Sequence, residues 1–204
     1  MQELDNAVGH RKIMAKEIEA KFLQIDKDTM RARLSAQGFQ LINPEYLMRR
    51  KTFDCGLVFL GKNKWGRVRQ EAGRVTMTLK EITGDGINDT HEIELTVDDF
   101  ERACEFLECA GMPAKAFQEN RRELWRRAEV EVALDTWPGL KPFIEIEAPA
   151  ETEVRAVSAE LGFDFSQAIF GSIDLVYERE IGIPPHQLTK LPEITFAFPP
   201  RGAW

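Results

Sequence analysis

Glu17 and Glu19, Glu92 and Glu94, and Glu145 and Glu147 are acidic pairs spaced two residues apart, and Arg67 and Arg69 are a basic pair at the same spacing. Lys21 continues the phase of the first pair, and Lys80 ends the alternating run Thr76-Met77-Thr78-Leu79-Lys80. In an extended strand the side chains at i and i+2 share a face, so each pair sets two like charges side by side. Such neighbours repel modestly in water and severely when enclosed, so an enclosed arrangement needs compensating partners. Glu17, Glu19, Glu145 and Glu147 brought together would supply the hard oxygen donors that suit Mg²⁺ or Mn²⁺. Arg67, Arg69 and Lys80 would clamp a polyanion. A site that needs both a divalent metal and several fixed cations points to a polyphosphate.

Strands must carry these residues. Stretches 17–22, 67–69, 76–80, 92–95, 129–135 and 144–147 all alternate, with charge on one face and apolar side chains on the other. An antiparallel sheet with one solvated side alternates in the same way, and for any single strand that is the commoner explanation. Segregation of sign from strand to strand weighs against it. Turned inwards, the charged faces would line a closed sheet with a polar lumen, an apolar outside and helices over that outside. Four helices are predicted. One runs from an Asp28 cap through Met30 and Leu34 to Gly38. A second starts at Asp98 or Asp99, carries a Phe100, Ala103, Phe106 and Leu107 stripe, and stops at Gly111. The others run from Glu151 to Leu161 before Gly162, and from near Ser172 through Tyr177.

The chain has 204 residues, 43% of them hydrophobic, which is enough apolar matter for a core and excludes a wholly disordered protein. A formal charge of -7 gives no overall positive field for nucleic acid or an anionic membrane, so neither is expected as a partner. Three cysteines at no metal-ligand spacing suit reduced thiols, and with no apolar signal core the expectation is a cytoplasmic protein. Residues 1–12 read as a flexible N-terminal segment, 13–182 as one structured unit, and 183–204 as a Pro-rich C-terminal tail with a short strand at 194–198.

Gly56-Leu57-Val58-Phe59-Leu60-Gly61-Lys62 fits the phosphate-loop pattern GxxxxGK, but Asn63 stands where a Ser or Thr would hold Mg²⁺ and no helix follows. Chance explains it better. His10, His91 and His186 have no metal spacing, and no Ser-His-Asp set can be assembled.

Glu17-Ile18-Glu19-Ala20-Lys21 is an ExExK motif and resembles the signature of the CYTH superfamily, the triphosphate tunnel metalloenzymes. This superfamily includes class IV adenylate cyclases, thiamine triphosphatases and inorganic triphosphatases. The order of later elements strengthens the likeness: RVR at 67–69, TLK at 78–80, EIE at 92–94, NRRELW at 120–125, Asp135, and PFIEIE at 142–147. The resemblance implies an α+β fold built on an eight-stranded antiparallel closed β-barrel with short helices packed outside. Its charged tunnel would bind a small-molecule triphosphate and Mg²⁺ or Mn²⁺. It also implies roles. Glu17 and Glu19, with Asp135, Glu145 and Glu147, resemble metal-binding carboxylates. Lys21 resembles the lysine that closes on the phosphates and orients the attacking group. Arg67, Arg69, Lys80 and Arg122 resemble the triphosphate clamp, and Glu92 and Glu94 resemble supporting tunnel acids. Asn120 departs from the family's Lys-x-Arg pattern before Trp125, which removes one phosphate contact.

Water as nucleophile gives triphosphate hydrolysis, the reading preferred here because it asks for fewer special features. A ribose 3′-hydroxyl as nucleophile gives cyclic AMP and pyrophosphate, and a full clamp without turnover gives a polyphosphate-binding module. Oligomeric state stays open, a homodimer included.

Overall fold

The structure, a computed structural model, describes residues 14–55 and 64–201. The N-terminal segment 1–12, His10 and the GxxxxGK stretch with Asn63 lie outside the described residues. Ten strands are present among them: β1 (Ala15–Glu17), β2 (Glu19–Phe22), β3 (Gln40–Asp54), β4 (Lys64–Glu71), β5 (Arg74–Ile82), β6 (Thr90–Val97), β7 (Ala114–Arg127), β8 (Val130–Thr136), β9 (Phe143–Glu147) and β10 (Glu193–Ile194). Five helices accompany them: α1 (Lys27–Ala36), α2 (Phe100–Cys109), α3 (Glu151–Glu160), α4 (Ile173–Ile181) and α5 (Pro185–Leu188). None is long and apolar enough to cross a membrane.

The sheet runs in the order β1-β6-β5-β4-β3-β7-β8-β9-β2, antiparallel throughout, with β10 beside β7. β1 pairs with β6 and β2 pairs with β9, and only Ile18 separates them, so the chain itself joins the two ends into a barrel. The path therefore counts nine strands where eight were expected. The difference is one stave interrupted at Ile18, whose two halves turn to different neighbours.

Alternation sets what faces where. Ile18, Ala20, Phe22, Val132, Leu134, Ile144 and Ile146 point outwards and are buried against Met30 and Leu34 of α1 and Val154 and Val157 of α3. A second cluster joins Trp137 and Phe143 to Val176 and Tyr177 of α4, Leu188 of α5 and Ile194 of β10. A third packs Phe53 and Val68 on Ala103, Cys104 and Leu107 of α2. Each Val, Leu, Ile, Phe or Met among them taken from water contributes about 1.5–3 kcal/mol, so the apolar outside, not the lumen, holds the barrel together.

Helix ends follow local chemistry. α1 begins two residues earlier than expected because Asp26, not Asp28, accepts from Thr29 N and Oγ1 at 2.8 and 2.7 Å. Gly38, at φ +79°, lets Phe39 N reach Leu34 O and stops the helix. On α2 the stripe is rotated from the expected one: Cys104 is buried and Phe106 is exposed.

The C-terminal segment closes two open edges. β8 ends at Thr136 opposite Arg121, which leaves the β7 edge bare at Phe117 and Gln118, and β10 pairs there in parallel. The short strand thus falls at Glu193–Ile194 and not at 194–198, because the bare edge of β7 fixes its place. Ile169 bridges to Lys21 on the edge of β2 that β1 has left.

Candidate active site in the barrel lumen

A cavity of about 650 Å³ occupies the lumen. Eleven of the twelve residues singled out in the sequence line it: Glu17, Glu19, Lys21, Arg67, Arg69, Lys80, Glu92, Glu94, Arg122, Glu145 and Glu147. Asp135 does not.

Register builds an acidic wall. Glu19, Glu147 and Glu131 sit side by side on β2, β9 and β8, and Lys21 lies opposite Glu145. Carboxylate oxygens of Glu17, Glu19 and Glu147 lie within 4.8 Å of one another, a group able to hold a metal ion. Burial pushes the Glu19 carboxyl up to about 7, with Lys21 opposing and Glu17 and Glu145 adding to the rise. Glu147 is also raised, by burial and then by Glu17 and Glu19. Water reaches Glu147 from the surface, which tempers that rise. Burial raises Glu17 too, but Lys80, with Nζ 2.7 Å from Oε1, brings it below its ordinary value. A cluster of acids that resist joint ionisation fits a divalent cation, and its all-oxygen donor set fits Mg²⁺ or Mn²⁺.

Lys21 is 2% exposed. Its ammonium bonds Glu19 and Gly171 O, the latter at 2.7 Å, with Glu145 at 3.6 Å. Burial alone would lower its pKa, yet Glu19 and Glu145 raise it, so Lys21 is held protonated.

Across the lumen stands a basic wall. Arg67 and Arg69 project from β4, and β3 sets Arg50 directly opposite Arg69. Arg67 Nη2 lies 3.2 Å from Thr78 Oγ1 and 3.5 Å from Glu94; Arg69 Nη2 lies 3.0 Å from Glu71 and 3.4 Å from Glu94. The Nε atoms of Arg50, Arg67 and Arg69 are buried with no hydrogen-bond partner among the described residues. Burial, and then the neighbouring arginines, lower the pKa of both Arg50 and Arg67. These are donors in want of an anion.

Lys80 lies between the walls, with Glu92 at 3.2 Å besides Glu17. Glu92 and Glu94 of β6 thus pair with the cations of β4 and β5.

Two of the carboxylates expected to bind metal lie outside the three-carboxylate group. Asp135 was grouped with the metal-binding carboxylates, but it is fully buried behind the cavity wall and accepts from Arg122 Nε at 2.9 Å and Asn120 Nδ2 at 3.1 Å. Glu145 also stands apart from the three-carboxylate group and pairs with Arg122 and Lys21. Burial would raise Glu145, yet Arg122 and Lys21 bring it down to about 2. Arg122 is therefore locked between two acids, and Arg121 faces outwards over the Phe196 ring.

Arg50 was missed. It is 8% exposed, bonds Asn120 Oδ1, and lies 4.6 Å over the Trp137 ring. Asn120, where the family pattern has lysine, joins Arg50 to Asp135 through its two amide atoms. The signal was the shared phase of Tyr46, Met48, Arg50 and Thr52, hidden because Arg49 and Lys51 flank Arg50 with the same charge on the opposite face. Tyr46, Glu71 and Arg74 also line the cavity and carried no motif.

Solved structures resemble this barrel. A proposed adenylate cyclase from Vibrio parahaemolyticus superposes with a TM-score of 0.68 at 15% identity, covering 80% of this chain and 98% of that one. The PH1012 protein of Pyrococcus horikoshii gives 0.62 at 22% identity, covering 74% and 93%. HpAC1 of Hippeastrum, a proposed adenylyl cyclase said to have a dominant triphosphatase activity, gives 0.52 at 16% identity, covering 83% and 98%. At such identities the likeness shows the fold alone. Among curated proteins none matches. The model of the CYTH domain matches residues 15–164, and with this barrel and its charged lumen the chain belongs to the CYTH family of metal-dependent, triphosphate-binding proteins.

Proposed function

We propose that the protein is a divalent-metal-dependent enzyme that hydrolyses a triphosphate held in the lumen. The observation that carries this reading is the pairing of a three-carboxylate group, Glu17, Glu19 and Glu147, with buried arginine Nε donors that lack acceptors among the described residues. Mg²⁺ or Mn²⁺ held by those carboxylates would neutralise phosphate oxygens and make water a better nucleophile. Arg50, Arg67 and Arg69 bind the phosphate oxygens and stabilise the charge that spreads over them in the transition state. Lys21, kept protonated, donates to phosphate and orients the attacking group; it cannot serve as a base in that state. Arg122 adds a fixed donor, and Asp135 and Glu145 hold its guanidinium in place. Lys80 trades Glu17 for phosphate when substrate enters, with Glu92 and Glu94 as supporting acids.

The activity said of HpAC1 supports hydrolysis over cyclisation. Phosphate release from tripolyphosphate and ATP with Mg²⁺ or Mn²⁺, measured alongside cyclic AMP, tests the reading. Metal-dependent phosphate release is expected. Cyclic AMP as the main product from ATP would make the protein a cyclase, and tight binding without product would make it a binding module.

A further inference from the structure

Arg50 is compensated differently from the other buried cations of the lumen. Lys21, Arg67, Arg69, Lys80 and Arg122 each lie within 3.6 Å of a carboxylate. Arg50 has no ion-pair partner among the described residues, and its contacts are with neutral groups. Its Nη2 donates to Asn120 Oδ1 and, at 2.9 Å, to Met48 Sδ, and its guanidinium lies over the Trp137 ring. Its Nε is buried without a partner among the described residues. Burial first, and then Arg67, Arg69 and Arg122, work against its charge.

One amide holds it there. Asn120 is fully buried and stands behind the cavity wall. Its Oδ1 accepts from Arg50, and its Nδ2 donates to Asp135 Oδ1 at 3.1 Å. Asp135 Oδ1 also accepts from Arg122 Nε at 2.9 Å. A single buried acid thus orients two cations, Arg122 by contact and Arg50 through the amide. An amide orients a guanidinium without neutralising it. A carboxylate in its place would pair with Arg50 and would have to be displaced by an incoming anion, as Glu17 must be from Lys80. A buried charge without a counter-ion is costly to the empty protein. A phosphate oxygen that supplies the counter-ion therefore gains more at Arg50 than at a cation already paired.

We propose that Arg50 is the residue on which the phosphate chain anchors, and that Asn120 is the positioning residue that presents its guanidinium uncompensated, an inference that rests on the lumen being the triphosphate site.

Calorimetry with tripolyphosphate in metal-depleted buffer tests it, because no turnover intervenes. Arg50→Met should weaken the dissociation constant about 10- to 100-fold, the loss of one charge-assisted hydrogen bond. Asn120→Leu, which keeps the volume without the acceptor, should weaken it about 3- to 10-fold. In the Arg50→Met background Asn120→Leu should cost nothing more, since it acts through Arg50. Arg50→Gln and Asn120→Ala serve if the first variants do not fold. Thermal melts of ligand-free Arg50→Met should stay within about 4 °C of the wild type or rise, since the variant removes an unpaired charge. Unchanged binding in Arg50→Met, or a larger fall in its melting temperature, would overturn the anchor. Losses that multiply in the double variant would overturn the positioning role of Asn120. Where the wild type binds only with Mg²⁺, the β,γ-imido analogue of ATP replaces tripolyphosphate and the same ratios apply. If the wild type binds neither, the triphosphate reading of the lumen falls, and the anchor with it.

Discussion

The lumen has two like-charge rungs on opposite sides. Glu19 faces Glu147 across β2 and β9, and Arg50 faces Arg69 across β3 and β4; the strand order puts them half the ring apart. Each rung is locally unfavourable, since like charges directly opposite on a sheet repel. The two sides answer that repulsion differently. On the acidic side, burial first and then neighbouring acids drive Glu19 and Glu147 towards protonation. The arginines stay cationic, each with a nitrogen left without an acceptor among the described residues. One side therefore wants a cation and the other an anion, and a metal-bound polyphosphate answers both.

The largest effect should come from the basic side. Arg69→Ala should cut kcat by about 10²- to 10³-fold, the loss expected for one preorganised donor. A change within threefold in steady-state assays would remove the arginine rung from catalysis. Asp135→Ala should be the most damaging to stability, because it leaves Arg122 with half of its buried compensation. A loss of about 3 kcal/mol or more is expected from urea unfolding, and a loss below about 1 kcal/mol would deny Asp135 its positioning role.

Glu147→Gln works in the opposite direction. Removing a repulsion screened by water at this separation should stabilise the protein in EDTA by about 1 kcal/mol, or about 2–4 °C in Tm. Stabilisation by added Mg²⁺ should shrink in the same variant. A melt that drops in EDTA would show the acidic rung to be relieved already. The smallest effect concerns Glu71, an acid on the basic side. Burial would raise its carboxyl, but Arg69, and then its bond from Arg74, hold it below 4.5. Its stabilising share is complete above pH 4.5 and is lost as pH falls through the lowered value. Glu71→Gln should therefore flatten the stability–pH curve in acid by about 1 kcal/mol, and a curve as steep as that of the wild type would set Glu71 aside.

Period-two alternation made Glu17, Glu19, Arg67, Arg69, Glu145 and Glu147 legible, because one face of each strand is apolar and the other is not. Arg50 was illegible for the same reason. Between Arg49 and Lys51 there is no change of character to mark a phase, and β3 was not recognised as a strand. Asp135 shows a different limit: phase gives the face of a sheet but not the depth, and at its depth Asp135 meets Arg122 before it meets solvent. The break at Ile18 and the seat of β10 depend on which edges other strands leave open, information that no local pattern holds.

The interruption at Ile18 bears on how the molecule assembles. β1 and β2 must find partners at residues 90–92 and 144–147, contacts spanning more than seventy and more than a hundred positions. Ring closure by such distant pairings is the kind of step that slows folding to milliseconds or longer. Until that seam forms, Glu17 and Glu19 are remote from Glu147, so the capacity to take up a divalent ion should arise with the final docking event and report its rate in a stopped-flow refolding experiment.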